Sequence, residues 1–387
     1  MILLFIVFIP SSFNLIVNSI SLYVIIPLLF IYSLYKSAFL FRKFRFFRLF
    51  VILFVWMFVT GVVATDKSLY WAEIKEMTGV VMFSFILIRF CWNDPRYIYY
   101  FYILYIIKFL FIFYYAYQNG LFAVDFSSER FNLDELNANV FGYYGFFALI
   151  ATFLLANYTK KFQKALYITL FFIVFALVIV AGILAASRAT LLISTISFAL
   201  LIIIKYLYPI SFKSVLPIIL IAVSIIFISK YLDTAFENSL IKARFDAKSD
   251  SRYDLLSRAY EVGSENILFG VGCGNFVLYN PARAFSHDSF AELWANNGAM
   301  GMILFILLLI EILISVRQYY KLSGDKKTSG YFIVIWTTYC FYNFFYVFYV
   351  SFFLLAFIFL IRMHVEYLKK VSRVNAAKRK ALVTLNV

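Results

Sequence analysis

The sequence predicts an all-α fold: a polytopic membrane helix bundle of about 12 transmembrane helices, with one long, partly helical loop. Three observations predict it. Of the 387 residues, 64% are apolar and 14% charged, against about 45–50% and about 25% in ordinary soluble domains. The mean hydropathy is +0.89. Apolar runs recur at span length, and Lys and Arg gather on alternate connections between them. This composition excludes a soluble globular domain and a disordered chain.

In chain order the apolar runs are 2–17, 20–35, 49–65, 78–92, 98–117, 139–157, 166–186, 189–204, 215–230, 299–316, 331–346 and 348–361. Pro10, Asn14 and Asn18 interrupt the opening pair, and the closing pair shares about 31 residues, short for two spans. The expected organisation is helices with short loops over 1–230, a large loop over 231–298, three more helices over 299–361 and a basic tail over 362–387.

Charge sets the orientation, because basic flanks stay in the cytoplasm. One side of the membrane carries 23 bases and only three acids, Asp94, Asp325 and Glu366; the other carries 11 bases and 16 acids. Both termini are therefore expected in the cytoplasm, and the 231–298 loop outside. The net charge of +15 then follows from topology and attraction to anionic membrane lipid, and no nucleic-acid partner is expected. The first basic residue is Lys36, so no cleavable signal peptide is expected. Cys91, Cys273 and Cys340 do not suggest a disulfide framework.

The polar interruptions carry the candidate chemistry. His287, in FSHDSF, precedes a span, with Asp288 beside it and Glu292 about one turn on. An imidazole titrates near neutrality and can take a proton from a hydroxyl; the alternative is a surface histidine at a helix start. One outer His and one outer Cys do not make a zinc set, so no metal is expected. Arg188 sits at the turn in AASRATLL, and Arg252, Arg258 and Arg283 share the long loop with His287. Guanidinium groups match phosphate oxygens in a fork, and the competing role is pairing with the loop's acids, such as Asp254 and Glu261. GVGCGNF, 270–276, reads as a sharp turn or as a phosphate cradle of backbone amides. Lys108 lies mid-span, with Glu311 a possible partner. His364 lies beside Arg362 and Glu366 at a span end and needs no further role.

These residues, in this order, resemble the bacterial O-antigen ligase and polymerase superfamily. NANVFG at 137–142, which contains Asn139, is similar to its Asn-x-Asn-x-Phe segment, and SRAT at 187–190 to its Ser-Arg turn. Arg252 followed by NILFGVGCGNF is similar to its Arg-then-Gly-x-Gly stretch, and SHDSFAELWANNGAMG to its His-Asn-x-x-Leu segment. Asp288 stands where Asn is usual, Ile267 where Pro is common, and Leu256 where an aromatic is usual.

The resemblance implies a multi-pass protein of the bacterial inner membrane with a periplasmic loop. It implies an inverting, metal-independent glycosyltransferase without cofactor. Its donor would be an undecaprenyl-diphosphate-linked glycan, its acceptor another glycan, and a chain-length regulator protein a possible partner. His287 would be catalytic; Arg188, Arg252, Arg258, Arg283 and Asn139 would bind substrate. Repeat-unit polymerase is the first expectation, ligase to lipid A core the second. A transporter or flippase would need paired broken helices and midplane charges, of which Lys108 is the sequence's main example.

Overall fold

The computed structural model describes Val7 and residues 19–120, 140–159, 161–184, 187–207, 251–345, Val347, Tyr349 and 352–385. Among them regular structure is helical throughout: α1 (Ile26–Ser37), α2 (Arg45–Val59), α3 (Lys67–Asn93), α4 (Arg96–Gln118), α5 (Val140–Tyr158), α6 (Lys161–Leu184), α7 (Arg188–Ile202), α8 (Ser251–Glu265), α9 (Ser289–Ser323), α10 (Lys326–Tyr342) and α11 (Phe352–Leu385), with short 3₁₀ and π turns. Arg45–Val62, Arg96–Gln118, Gln163–Ile183 and Ser289–Ser323 are long and apolar enough to cross a bilayer, and Ser21–Ser37, Gly142–Tyr158 and Thr190–Lys205 are shorter apolar helices. The expected spans at 2–17 (Val7 apart) and 215–230 lie outside the described residues, as do Asn139 and residues 231–250.

Three helices outrun the apolar runs that predict them. α3 begins at Lys67, eleven residues before the run at 78, because its buried face continues outward through Tyr70, Ile74 and Met77 at helical spacing. Asp66 starts it, its carboxylate accepting from the Ser68 and Leu69 amides. α9 begins at Ser289, ahead of the run at 299, with a backbone break at Gly298. α11 continues past residue 361 to Leu385, so the basic tail is helical over most of its length.

The chain divides into two compact units, Met1–Tyr23 with Tyr100–Asp254, and Val24–Tyr99 with Leu255–Val387. In the first, α5 packs against α6 and α7. Phe198 of α7 stacks on Phe175 at 3.9 Å and on Phe171 at 5.1 Å. Lys108 of α4 is buried, its ammonium 4.7 Å from the Tyr144 ring.

In the second unit α2 and α11 pack on α9 and α3, with α1 on α3 and α10 on α9. Phe46 and Phe50 of α2 meet Phe359 of α11 at 5.0 and 5.6 Å. In lipid, such contacts stabilise through dispersion and close fit rather than through removal from water. On the other side of α9, Met300, Ile303, Leu307, Ile310 and Ile314 form an exposed apolar stripe.

The far end of this unit is ionic. Arg45 stands 3.7 Å from Glu311. Arg362 and Lys369 flank Glu366 at 3.0 and 2.9 Å, and Arg362 also donates to Gln318 and Ser315. His364 is buried beside Phe332 and Tyr319, in a structural setting.

Candidate functional site

At the other end of the second unit, the start of α9 organises a polar shell. Asp288 is its N-cap, the Asp288 carboxylate accepting from the Phe290 amide at 2.7 Å and the Ala291 amide at 2.8 Å. Asn and Asp fill this role about equally, which explains why Asp is accommodated where Asn is usual. Burial pushes the Asp288 carboxyl up, and the two capping amides pull it back down.

The Ser286 hydroxyl donates to the Asp288 carbonyl at 2.9 Å, and the Ser286 amide donates to Glu292 Oε2 at 2.7 Å. Between these two buried residues His287 is half-exposed and adopts φ 59. A left-handed non-glycine residue costs about 1–3 kcal/mol and persists only where its surroundings over-determine it. The clamped neighbours on both sides supply that constraint. Arg283 is also left-handed, with φ 50; its turn is closed by Asn280, whose side chain bonds both the amide and the carbonyl of Ala284.

The other Glu292 oxygen accepts from Asn296 Nδ2 at 2.9 Å, and Asn296 Oδ1 accepts from the Phe276 amide at 2.7 Å. A single chain of hydrogen bonds thus links the His287 loop, α9 and the glycine-rich turn. Ala259, Val262, Val271, Phe276, Ala291 and Ala295 form a small apolar core beneath it, against which Leu256 packs.

The glycine-rich turn is a packing element. The amides of Gly270, Val271, Cys273, Asn275 and Phe276 donate to the Asn266, Ala295 and Gly272 carbonyls, the Thr60 hydroxyl and the Asn296 side chain. These five amides are engaged within the protein, as the sharp-turn reading expects. Gly272, at φ 93, lies so close to α2's end that an added Cβ would stand 2.6 Å from Ala64 Cα. Asn275 then straps the turn to the start of α3, accepting from the Asp66 amide at 2.7 Å and donating to its carbonyl at 3.1 Å.

Glu73, which sequence reasoning missed, faces the same turn. Tyr349 donates to Glu73 Oε1 at 3.0 Å, and Cys273 bonds the carboxyl as well. Burial, and then the Glu292 carboxylate, push the Glu73 carboxyl up to about 8. Burial and Glu73 together raise the Cys273 thiol well above its usual range. A buried carboxyl between a hydroxyl and a thiol is held neutral over much of the physiological range.

The candidate residues fall in both units. His287, Arg258 and Arg283 belong to the second. Arg258 donates to the Tyr279 carbonyl at 2.9 Å and pairs with Glu261 at 3.1 Å; Arg283 is exposed. Arg252, half-buried in the first turn of α8, and Arg188, the first residue of α7, are assigned to the first unit. Ser187 caps α7, accepting from the Thr190 amide. Gly142 of the NANVFG segment packs so tightly there that an added Cβ would fall 1.9 Å from the Thr190 hydroxyl. The structure thus brings Gly142 against the SRAT turn, and the glycine-rich turn against the His287 segment. Among the described residues, no group of three His, Cys, Asp or Glu could hold a metal ion.

Fold and site define a helical integral membrane protein with a histidine-bearing polar shell at one end of a spanning helix. Residues 173–306 match the family model described as O-antigen ligase. That match supports the O-antigen ligase and polymerase superfamily for this chain. It contains Arg188, Arg252, Arg258, Arg283 and His287, and leaves Asn139 and Glu73 outside. No curated protein matches the chain.

Proposed function

We propose that this protein is an inverting glycosyltransferase of the bacterial inner membrane, with about 12 spans and both termini cytoplasmic. It extends undecaprenyl-diphosphate-linked repeat units of a surface polysaccharide at the periplasmic face. The observation that carries the reading is His287, half-exposed and held left-handed between two buried, hydrogen-bonded neighbours, inside the family-matched segment. Backbone strain of this kind clusters at functional sites.

In this mechanism His287 takes the proton of an acceptor hydroxyl as that oxygen bonds to the anomeric carbon. The bond from that carbon to the diphosphate oxygen breaks on the opposite face, and undecaprenyl diphosphate leaves as an anion. Arg188 and Arg252 hold the diphosphate, with Arg283 and Asn139 as further substrate contacts. Charge-assisted contacts contribute about 1.5–3 kcal/mol each, and only what strengthens in the transition state speeds the step. Diphosphate is a good leaving group, so the step requires no metal or cofactor. Arg258, which also bonds Tyr279 and Glu261, is a further substrate contact in this reading. A chain-length regulator is a further expected partner.

A ligase, passing the glycan to lipid A core, is the second reading; the description of the matching family favours it. Deletion of the gene separates the two. A polymerase deletion leaves surface glycans one repeat long, whereas a ligase deletion leaves long glycans on the lipid carrier. His287→Ala or Arg252→Ala at normal protein level should reproduce the deletion, and unaltered glycan would overturn the assignment.

A further inference from the structure

Residues 267–269 present three consecutive exposed apolar side chains: Ile267 at 54%, Leu268 at 71% and Phe269 at 37% of full exposure. In a water-facing loop such a run is unfavourable unless something covers it. Its place in the fold says what does.

Helix α9 breaks at Gly298, with φ 66 and ψ −168, and the turn is fastened to that break. The Ala299 amide, freed by the break, donates to the Ile267 carbonyl at 2.8 Å. The Asn297 carbonyl accepts from the Trp56 indole at 2.8 Å, and Trp56 stacks on Phe269 at 5.3 Å with 13° between the planes. The turn therefore lies level with the end of α9's apolar run. Met300, one residue beyond Ala299, is 46% exposed and begins the stripe through Ile303, Leu307, Ile310 and Ile314, which faces lipid if α9 spans the membrane. Beside it, Phe58, Val59 and Val62 continue the exposed apolar surface at the same end of α2. A tryptophan at this level fits the aromatic belt of membrane interfaces.

We propose that Ile267, Leu268 and Phe269 form a membrane-docking turn that enters the acyl-chain edge of the leaflet at the His287 end of α9. The occupant of the apolar surface is lipid, because the surface is continuous with the lipid-facing stripe of a spanning helix. The turn leads directly into Gly270 and Val271, whose amide is bonded to the Ala295 carbonyl. Docking thus fixes the height of the α9 start, and of His287, above the bilayer. This inference rests on the membrane fold alone and stands whether or not His287 is catalytic.

The test places an environment-sensitive fluorophore on Leu268→Cys in the full chain, with Cys340→Ser as background, since Cys91 and Cys273 are buried. The protein is reconstituted at low density in phosphatidylethanolamine and phosphatidylglycerol vesicles, with Met300→Cys as the lipid-facing reference and Ile267→Cys as a second reporter. The expected result is blue-shifted emission, quenching by acyl-brominated lipid comparable to that at Met300→Cys, and protection from aqueous iodide. Iodide quenching as strong as for free label, without lipid quenching, would overturn the proposal. Protection from both quenchers would also overturn it and assign the turn to a second copy or another protein. If the label at 268 disturbs folding, judged by gel filtration, Ile267→Cys decides by the same criteria.

Discussion

The two ends of α9 handle buried charge in opposite ways. At the Ser323 end each buried carboxylate meets a cation: Glu311 has Arg45, and Glu366 has Arg362 and Lys369. At the Ser289 end, Glu73 and Glu292 are held by Tyr349, Cys273, Asn296 and Ser286, and no ion pair to either exists among the described residues. An uncompensated buried carboxylate is expensive, so one end is built as an anchor. The other is held by neutral donors in a strained loop that carries His287.

The largest effect that would sharpen this contrast comes from the break separating the polar shell from the spanning run. The φ/ψ of Gly298 is essentially glycine-only, and an added Cβ would stand 2.4 Å from the Leu268 carbonyl oxygen. Gly298→Ala is expected to cost about 3 kcal/mol or more, seen as a lowered thermal midpoint in detergent. A midpoint within a degree of wild type would mean that the break is not a fixed feature.

Neutralising a carboxylate at each end tests the contrast directly. Glu366→Gln leaves the buried Arg362 with a weaker partner and should cost about 2–3 kcal/mol at every pH between 6 and 9. Glu73→Gln should behave differently. Glu73 is raised, so its contribution is fully present below the ordinary carboxyl range near 4.5 and is lost as pH rises through about 8. Across that window wild-type stability falls with a slope of up to about 1.4 kcal/mol per pH unit from this group. Groups facing it are Glu292, Glu76, Cys273 and Tyr349. Glu73→Gln should flatten that slope and exceed wild type near pH 8.5; equal slopes in both proteins would refute the buried-neutral assignment.

Much of the architecture was legible because it rests on local patterns. The helix class, the apolar runs and the placing of His287 just before a span all follow from composition and spacing. The hydropathy boundary at 78 concealed the outer turns of α3, yet Tyr70, Ile74 and Met77 keep the helical period, and that signal was available. Glu73 was missed because Lys67, Lys75 and Glu76 surround it and make it read as solvated. Its partner Tyr349 lies 276 positions away and Trp56 lies 241 from Asn297; such pairings exist only after the chain has folded. Gly142 meets Thr190, and Gly270 the backbone at Ala295 and Asn296, for the same reason: glycines permit approaches that no local pattern announces.

The smallest effect is the most specific. If Asp288 serves through its capping oxygen, what matters is an acceptor for the Phe290 and Ala291 amides, and charge is secondary. Asp288→Asn then keeps both bonds and should shift stability by less than about 0.5 kcal/mol, while Asp288→Ala loses them and costs about 1 kcal/mol. Because the cap immediately follows His287, the alanine variant should also release the left-handed loop and reduce glycan transfer, with asparagine restoring it. Should asparagine abolish transfer at wild-type stability, the Asp288 charge itself would act on His287 or substrate, and the capping account of this position would be incomplete.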